Sequence, residues 1–307
     1  MKLHLKHIAL TFIALCLFAC SPSKDEEQVK QTLKPTQIVH IKSLDDLTDL
    51  FDKYQYNSEA WTQGSRAVPR LTFDGVTERW QKGSKNLPVD EKKQVFFRLM
   101  APLILMSNEE ILAERELAKN APLSSEPLKQ LAIKYKVIEK GSQSAGLGAD
   151  ERSQLLNRID IVPPSLALAQ AAEESGWATS RFTVEGNAFF GQWDFSGQGM
   201  IPKQQRKELG NYGLARFDTP FDSVKGYMFN INTGHAYQKL RDKRAGLRQQ
   251  HQAITGLGLV ETLDKYSERG QAYIDGISEL ITYNNLEPVD EAYLVGDHII
   301  QLVADSE

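Results

Sequence analysis

Pro163-Pro164-Ser165-Leu166-Ala167-Leu168-Ala169-Gln170-Ala171-Ala172-Glu173-Glu174-Ser175-Gly176 is the stretch that decides how this chain reads. Proline fits the first turn of a helix, where its missing N–H has no partner to lose. The alanine- and leucine-rich run Leu166–Ser175 predicts a helix, and Gly176 stands where a C-terminal stop belongs. Glu173 and Glu174 therefore fall in the last turn of a mostly apolar helix. A carboxylate there meets the negative end of the helix dipole, and apolar surroundings disfavour its charged form further; both effects raise its pKa. An acid that protonates a glycosidic oxygen near neutral pH needs that property. Helical periodicity alone does not choose between the two glutamates.

Downstream, the sequence between Phe190 and Phe217 is rich in glycine (Gly191, Gly197, Gly199, Gly210, Gly213) with scattered aromatics, which predicts a small hairpin lobe. Thr219-Pro220 opens another helix with Thr219 as its cap. Val224, Tyr227, Met228 and Ile231 recur along it at helical spacing as a core stripe. Tyr273, Ile277, Leu280 and Ile281 predict a second such face, and Leu294–Val303 a third. The six histidines show no HExxH and no paired spacing, so neither a metal nor a cofactor is expected, and His235 reads as a surface residue.

Upstream, residues 38–140 read as a helical region with breaks and no catalytic pattern. Val95, Phe96, Leu99, Met100 and Leu103 keep one helical face, within which Pro102 predicts a kink or a boundary. Ile111–Lys119 and Leu128–Tyr135 read as two short helices parted at Asn120-Ala121-Pro122. Glu109, Glu110, Glu114 and Glu116 read as a solvated face paired with Arg115 and Lys119. The small, glycine-rich Gly141–Gly148 predicts a linker over 141–149, ahead of a second domain over 150–307 that opens with a helix at Asp150–Ile159. The expected fold class is mainly α (α+β): a helical N-terminal region, then a helical domain with one small β lobe.

The N-terminus carries the cysteine arithmetic. Lys2 and Lys6 precede Ile8–Ala19, which holds no charge. That run is too short for a bilayer span of about 20 residues and fits a secretory signal. It ends in Leu17-Phe18-Ala19-Cys20, which resembles the bacterial lipoprotein box. The expectation is a signal over 1–19, a lipid anchor on Cys20 and a polar tether over 20–37, with Ser21 after the cysteine favouring the outer membrane, facing the periplasm. Cys16, the other of the two cysteines, leaves with the signal. Lys+Arg 36 against Asp+Glu 40 gives a formal charge of −4, which becomes −6 once Lys2 and Lys6 are removed. No nucleic-acid partner is expected, because this balance does not advertise the basic face such binding usually needs.

Leu168–Trp177 resembles the A-Q-A-A-x-E-S-G-W motif of the glucosaminidase domains of glycoside hydrolase family 73, the family of the flagellar FlgJ enzymes. Asn187-Ala188-Phe189-Phe190-Gly191 is similar to its N-L-F-G, and Arg216-Phe217, Tyr227 and His235-Ala236-Tyr237 resemble its F-R, Y and P-x-Y-A positions. Over nearly the whole body, including 91–118 and Thr282–Leu286, the chain resembles the Bax family of Gram-negative bacteria, which carries this domain. The resemblance implies a lysozyme-like domain and an endo-β-N-acetylglucosaminidase acting on the β-1,4 bonds of peptidoglycan glycan strands. On it Glu174 is the catalytic acid, and Ala178 replaces a glycine common after the tryptophan. The family's second acid sits on a mobile lobe, where Glu208 is the first candidate and Asp194 the next. Tyr237 resembles a tyrosine that faces the sugar beside the acid. Trp177, Asn187, Phe190, Trp193 and Tyr227 are candidate substrate-binding residues. One alternative is a lytic transglycosylase, which also uses a helix-end glutamate before serine but usually follows it with G-L-M-Q, where this chain has Phe190-Gly191-Gln192-Trp193. The other is a non-catalytic peptidoglycan-binding envelope protein.

Overall fold

The structure is a computed structural model that describes residues 35–141, 147–202 and 212–305. The signal run, both cysteines, the tether as far as Lys34 and Glu208 lie outside the described residues.

In chain order the elements are β1 (Thr36–Ile41), α1 (Leu44–Lys53), α2 (Ser58–Thr62), β2 (Ala67–Phe73), α3 (Glu78–Gly83), α4 (Val89–Asn120), α5 (Glu126–Lys134) and α6 (Ala149–Arg158). They continue with α7 (Pro164–Ser175), α8 (Arg181–Gly186), β3 (Trp193–Asp194), β4 (Gly213–Leu214), α9 (Pro220–Thr233), α10 (Gln238–Gln249), α11 (Gly256–Leu259), α12 (Gln271–Tyr283) and β5 (Tyr293–Ala304). The mainly α, α+β class read from the sequence is the class observed.

The helix at the centre is α7. Leu166, Ala167, Leu168, Ala169, Ala171 and Ala172 are all buried, so it is apolar on every side, as a helix enclosed by others must be. It packs against α4, α11 and α12. The predicted α9 stripe of Val224, Tyr227, Met228 and Ile231 is buried against the same core, as are Tyr273, Ile277 and Ile281 of α12. The glycine-rich stretch forms the expected lobe: β3 and β4 pair antiparallel, Trp193 opposite Leu214 and Asp194 opposite Gly213.

Three expectations need correction. Leu294–Val303 is a strand. Its pattern admits a helical stripe, but Val295, Ile299, Ile300 and Val303 are β-branched, and Ile300 and Leu302 alternate into a core. β5 is the middle strand of a parallel sheet ordered β1-β5-β2. The partners lie more than 200 residues upstream, which no local pattern reveals.

Residues 38–140 are accordingly not wholly helical, and they are not a body apart. Pro35–Glu307 is one compact unit. Phe96, Met100, Leu103 and Ile104 of α4 share a core with α7, α9 and α12. Leu147, inside the expected 141–149 linker, is buried in that core too.

Finally, α4 runs unbroken from Val89 to Asn120 with Pro102 inside it. Residues 100–108 are all buried, so packing over this length outweighs the one lost helix hydrogen bond.

The glutamates of α4 are also partly re-partnered. Glu116 pairs with Lys119 at 2.5 Å as expected. Glu109 takes a two-pronged contact from buried Arg70 at 2.6 and 2.7 Å, and Glu114 accepts from Tyr135 Oη at 2.6 Å. Arg115 turns inward to the carbonyls of Leu156 and Ile159 at the end of α6. Arg244 of α10, fully buried, donates to the carbonyls of Asn157, Arg158, Asp160 and Ile161 and to Asn232 Oδ1. The unpaired carbonyls that any helix leaves at its C-terminus are thus capped by guanidinium groups from two other helices.

Candidate active site

The end of α7 explains its own sequence. Ser175 is fully buried; its hydroxyl donates to Ala171 O at 2.6 Å and accepts from Ala178 N at 2.9 Å, tying the helix to the turn that follows. Gly176 adopts the left-handed conformation (φ 57°), and Trp177 N–H closes on Ala172 O at 3.0 Å. Trp177 and Ala178 continue with φ of 60° and 61°. A left-handed residue with a side chain costs roughly 1–2 kcal/mol, which gives a physical reason for glycine being common where this chain has Ala178. The turn throws Trp177 onto α4, with ring centroids 5.6 Å from Phe96 and 5.3 Å from Phe97.

The two glutamates part company here. Glu173 is exposed and pairs with Arg269 at 2.7 Å. Glu174 is half-buried, and Tyr273 Oη donates to its Oε1 at 2.9 Å. Behind that contact lies a buried chain of polar groups. Gln170 Nε2 donates to Tyr273 Oη at 3.0 Å, and Tyr227 Oη donates to Gln170 Oε1 at 2.6 Å. On the other side of the carboxyl is Gly191, in left-handed conformation (φ 61°); a Cβ there would stand 3.1 Å from Glu174 Oε2. Burial is the main cause that holds the Glu174 carboxyl above the ordinary carboxylate range; the Glu173 charge adds to it, while Tyr273 and Arg269 oppose it. Of the two causes expected from the sequence, enclosure is the one the structure supports.

Several sequence candidates occupy other roles. Phe190 and Tyr227 are 2 % and 1 % exposed and stack on each other with centroids 4.0 Å apart, so neither meets a ligand directly. Asn187 spends its amide on the carbonyls of Asp74, Phe217 and Asp218 and clamps the loop from a left-handed position. Trp177 is the wedge just described. Tyr237 is the buried end of a 3₁₀ turn (His235–Tyr237), its ring 5.9 Å from that of Tyr266. The hydroxyl that reaches Glu174 is that of Tyr273. Asp194 is held in a turn by Ser196, whose N–H and Oγ donate to it at 2.7 and 2.9 Å. Trp193 remains on the surface, 53 % exposed, with Phe195 at 74 % beside it on the lobe.

From the sequence Tyr273 reads as part of a core stripe and Gln170 as one residue of the helix motif. The signal was present: a phenol in the stripe Tyr273, Ile277, Leu280, Ile281, and one amide in a run of alanines, each need a polar partner once buried. Among the described residues no cluster of three or more His, Cys, Asp or Glu side chains could hold a metal ion.

The glucosaminidase family, described as mannosyl-glycoprotein endo-beta-N-acetylglucosaminidase, matches residues 150–286, which include Glu174, Gly191, Tyr227 and Tyr273. The protein Bax of Escherichia coli strain K12 is 32 % identical over 189 residues, 59 % of this chain and 66 % of that protein. The chain carries a glucosaminidase domain and is similar to Bax. The aligned part falls just short of two thirds of the length of this relative. No solved structure matches. The α7 end, the Gly191 loop and the start of α12 meet around the half-buried Glu174 carboxyl group.

Proposed function

We propose that this protein is a peptidoglycan glycosidase that cleaves the β-1,4 bonds of the glycan strand as an endo-β-N-acetylglucosaminidase, with Glu174 as general acid. The observation that carries this reading is the Glu174 carboxyl itself: helix-end, half-buried, raised in pKa and held on one oxygen by Tyr273. A raised pKa favours the protonated form, which gives its proton to the glycosidic oxygen as the bond to the anomeric carbon breaks. Water then adds to the anomeric carbon. Trp193 and Phe195 supply aromatic surface for sugar rings on the neighbouring lobe. The base that activates water is assigned to the lobe, with Glu208 as its candidate. A lipid anchor on Cys20 at the outer membrane places the enzyme against the sacculus.

Mass spectrometry of digested sacculi tests this. Reducing N-acetylglucosamine ends are expected, whereas anhydro-muramic ends would identify a transglycosylase. Binding to sacculi without any cleavage would leave only the non-catalytic reading.

The Gly191 loop gives a second test. In Gly191→Ala the new methyl group meets Glu174 Oε2 and the residue is strained at φ 61°. A displaced acid is expected to lose on the order of 10- to 100-fold in digestion rate, read by clearing of a sacculus suspension. An unchanged rate would show that the acid does not need this loop.

A further inference from the structure

The buried polar chain behind Glu174 has a direction, and the direction is fixed far from the substrate. Tyr227 Oη is buried, and among the described residues its hydrogen-bond partner is Gln170 Oε1 alone, at 2.6 Å. A buried hydroxyl that donates to nothing costs roughly 1–3 kcal/mol. Tyr227 therefore turns the carbonyl end of the Gln170 amide toward itself, and the NH₂ end faces Tyr273, 3.0 Å away. Tyr273 Oη, already accepting from that NH₂, directs its single proton at Glu174 Oε1. With the amide reversed, its carbonyl would take the Tyr273 proton. Tyr273 could then only accept from Glu174, and the acid would spend its proton inward.

We propose that Tyr227 and Gln170 are positioning residues which, through Tyr273, hold Glu174 Oε1 as an acceptor and confine the transferable proton of the acid to Oε2, on the Gly191 side. This rests on Glu174 being the general acid. The groups facing the carboxyl are Tyr273 on α12, Glu173 on α7, Arg269 before α12, Tyr227 on α9, Tyr237 in the 3₁₀ turn and Tyr266 in the segment before α12. Of these, Tyr273 alone has a hydrogen bond to Glu174 among the described residues.

The test is the titration of Glu174 in the full chain labelled with ¹³C at the glutamate carboxyls, the resonance being identified by its loss in Glu174→Gln. In Tyr227→Phe the amide is free to reverse, the ionised carboxylate loses its donor, and the midpoint moves to higher pH. Tyr273→Phe, which removes that donor outright, moves it the same way. Adding Gln170→Met to Tyr227→Phe removes the carbonyl that captured the Tyr273 proton, so the midpoint returns to the wild-type position. On soluble glycan strands Tyr227→Phe is expected to lose about tenfold in kcat with KM within about twofold, and the double variant to regain most of it.

A Tyr227→Phe midpoint equal to wild type overturns the proposal. So does a double variant that stays shifted, because damaged packing accumulates whereas a captured proton is released. If Glu174→Gln remains active, the general-acid reading falls while the titrations still report on the hydrogen-bond chain.

Discussion

Glutamine in place of Glu174 is expected to cut the release of reducing ends from sacculi by roughly 10²–10⁴-fold, the usual worth of a positioned general acid. The wild-type rate should fall as pH rises through the Glu174 pKa, since only the protonated carboxyl can donate. The residual rate of Glu174→Gln should lack that decline. Stability supplies the control. A carboxyl whose folded pKa lies above its unfolded value, as burial makes this one, favours folding fully below the unfolded pKa and loses that contribution as pH rises through the folded pKa. Near neutral pH the uncharged glutamine is therefore expected to melt no lower than wild type. Lost activity in a protein of undiminished melting temperature assigns the effect to chemistry; a wild-type digestion rate removes Glu174 from it.

The second large effect concerns folding. Arg244→Met keeps a long side chain but withdraws the donors on which four carbonyls and Asn232 Oδ1 converge. Burial lowers the Arg244 pKa to about 10, so the group remains charged and donating at neutral pH. It shares the site with Asp160, which Arg248 also holds at 2.6 and 2.9 Å. Breaking a buried, hydrogen-bonded charge network typically costs about 3–5 kcal/mol, and in a body of this size that corresponds to a fall of roughly 10 °C in melting temperature. Lys119→Met, at an exposed pair, is expected to change stability by less than about 1 kcal/mol. Similar melting temperatures for the two variants would show that Arg244 does not hold the end of α6 against α9 and α10.

What could be read in the sequence depended on the range of the interaction that decides it. The helix at 164–175, its stop at Gly176 and the Thr219 cap rest on contacts within one or two turns, and all stand in the structure. The strand β5 could not be read, because its partners lie in β1 and β2 at the other end of the chain. The continuity of α4 through Pro102 likewise follows from burial, which a single-residue rule does not see. At the site, the helix end marked Glu173 and Glu174 together, and the family resemblance singled out Glu174. Tyr273 was not singled out because only the packing of α12 against α7 turns a core tyrosine into the partner of that acid. Phe190, Tyr227 and Asn187 carry residue types suited to sugar binding, yet close packing gives each of them another task.

The sheet order β1-β5-β2 has a consequence for the route to the native state. Both outer strands are parallel to β5, so neither can complete its ladder before residues 293–304 have emerged and docked. Pairings such as Thr36 with Ile299 close loops that span nearly the whole body, the most costly kind of contact to form early in folding. The helices around α7 can collect first through nearer neighbours, with the sheet closing last. Mature order at the N-terminal strands, where the expected tether joins the body, would then be a signal that synthesis of the last strand is complete.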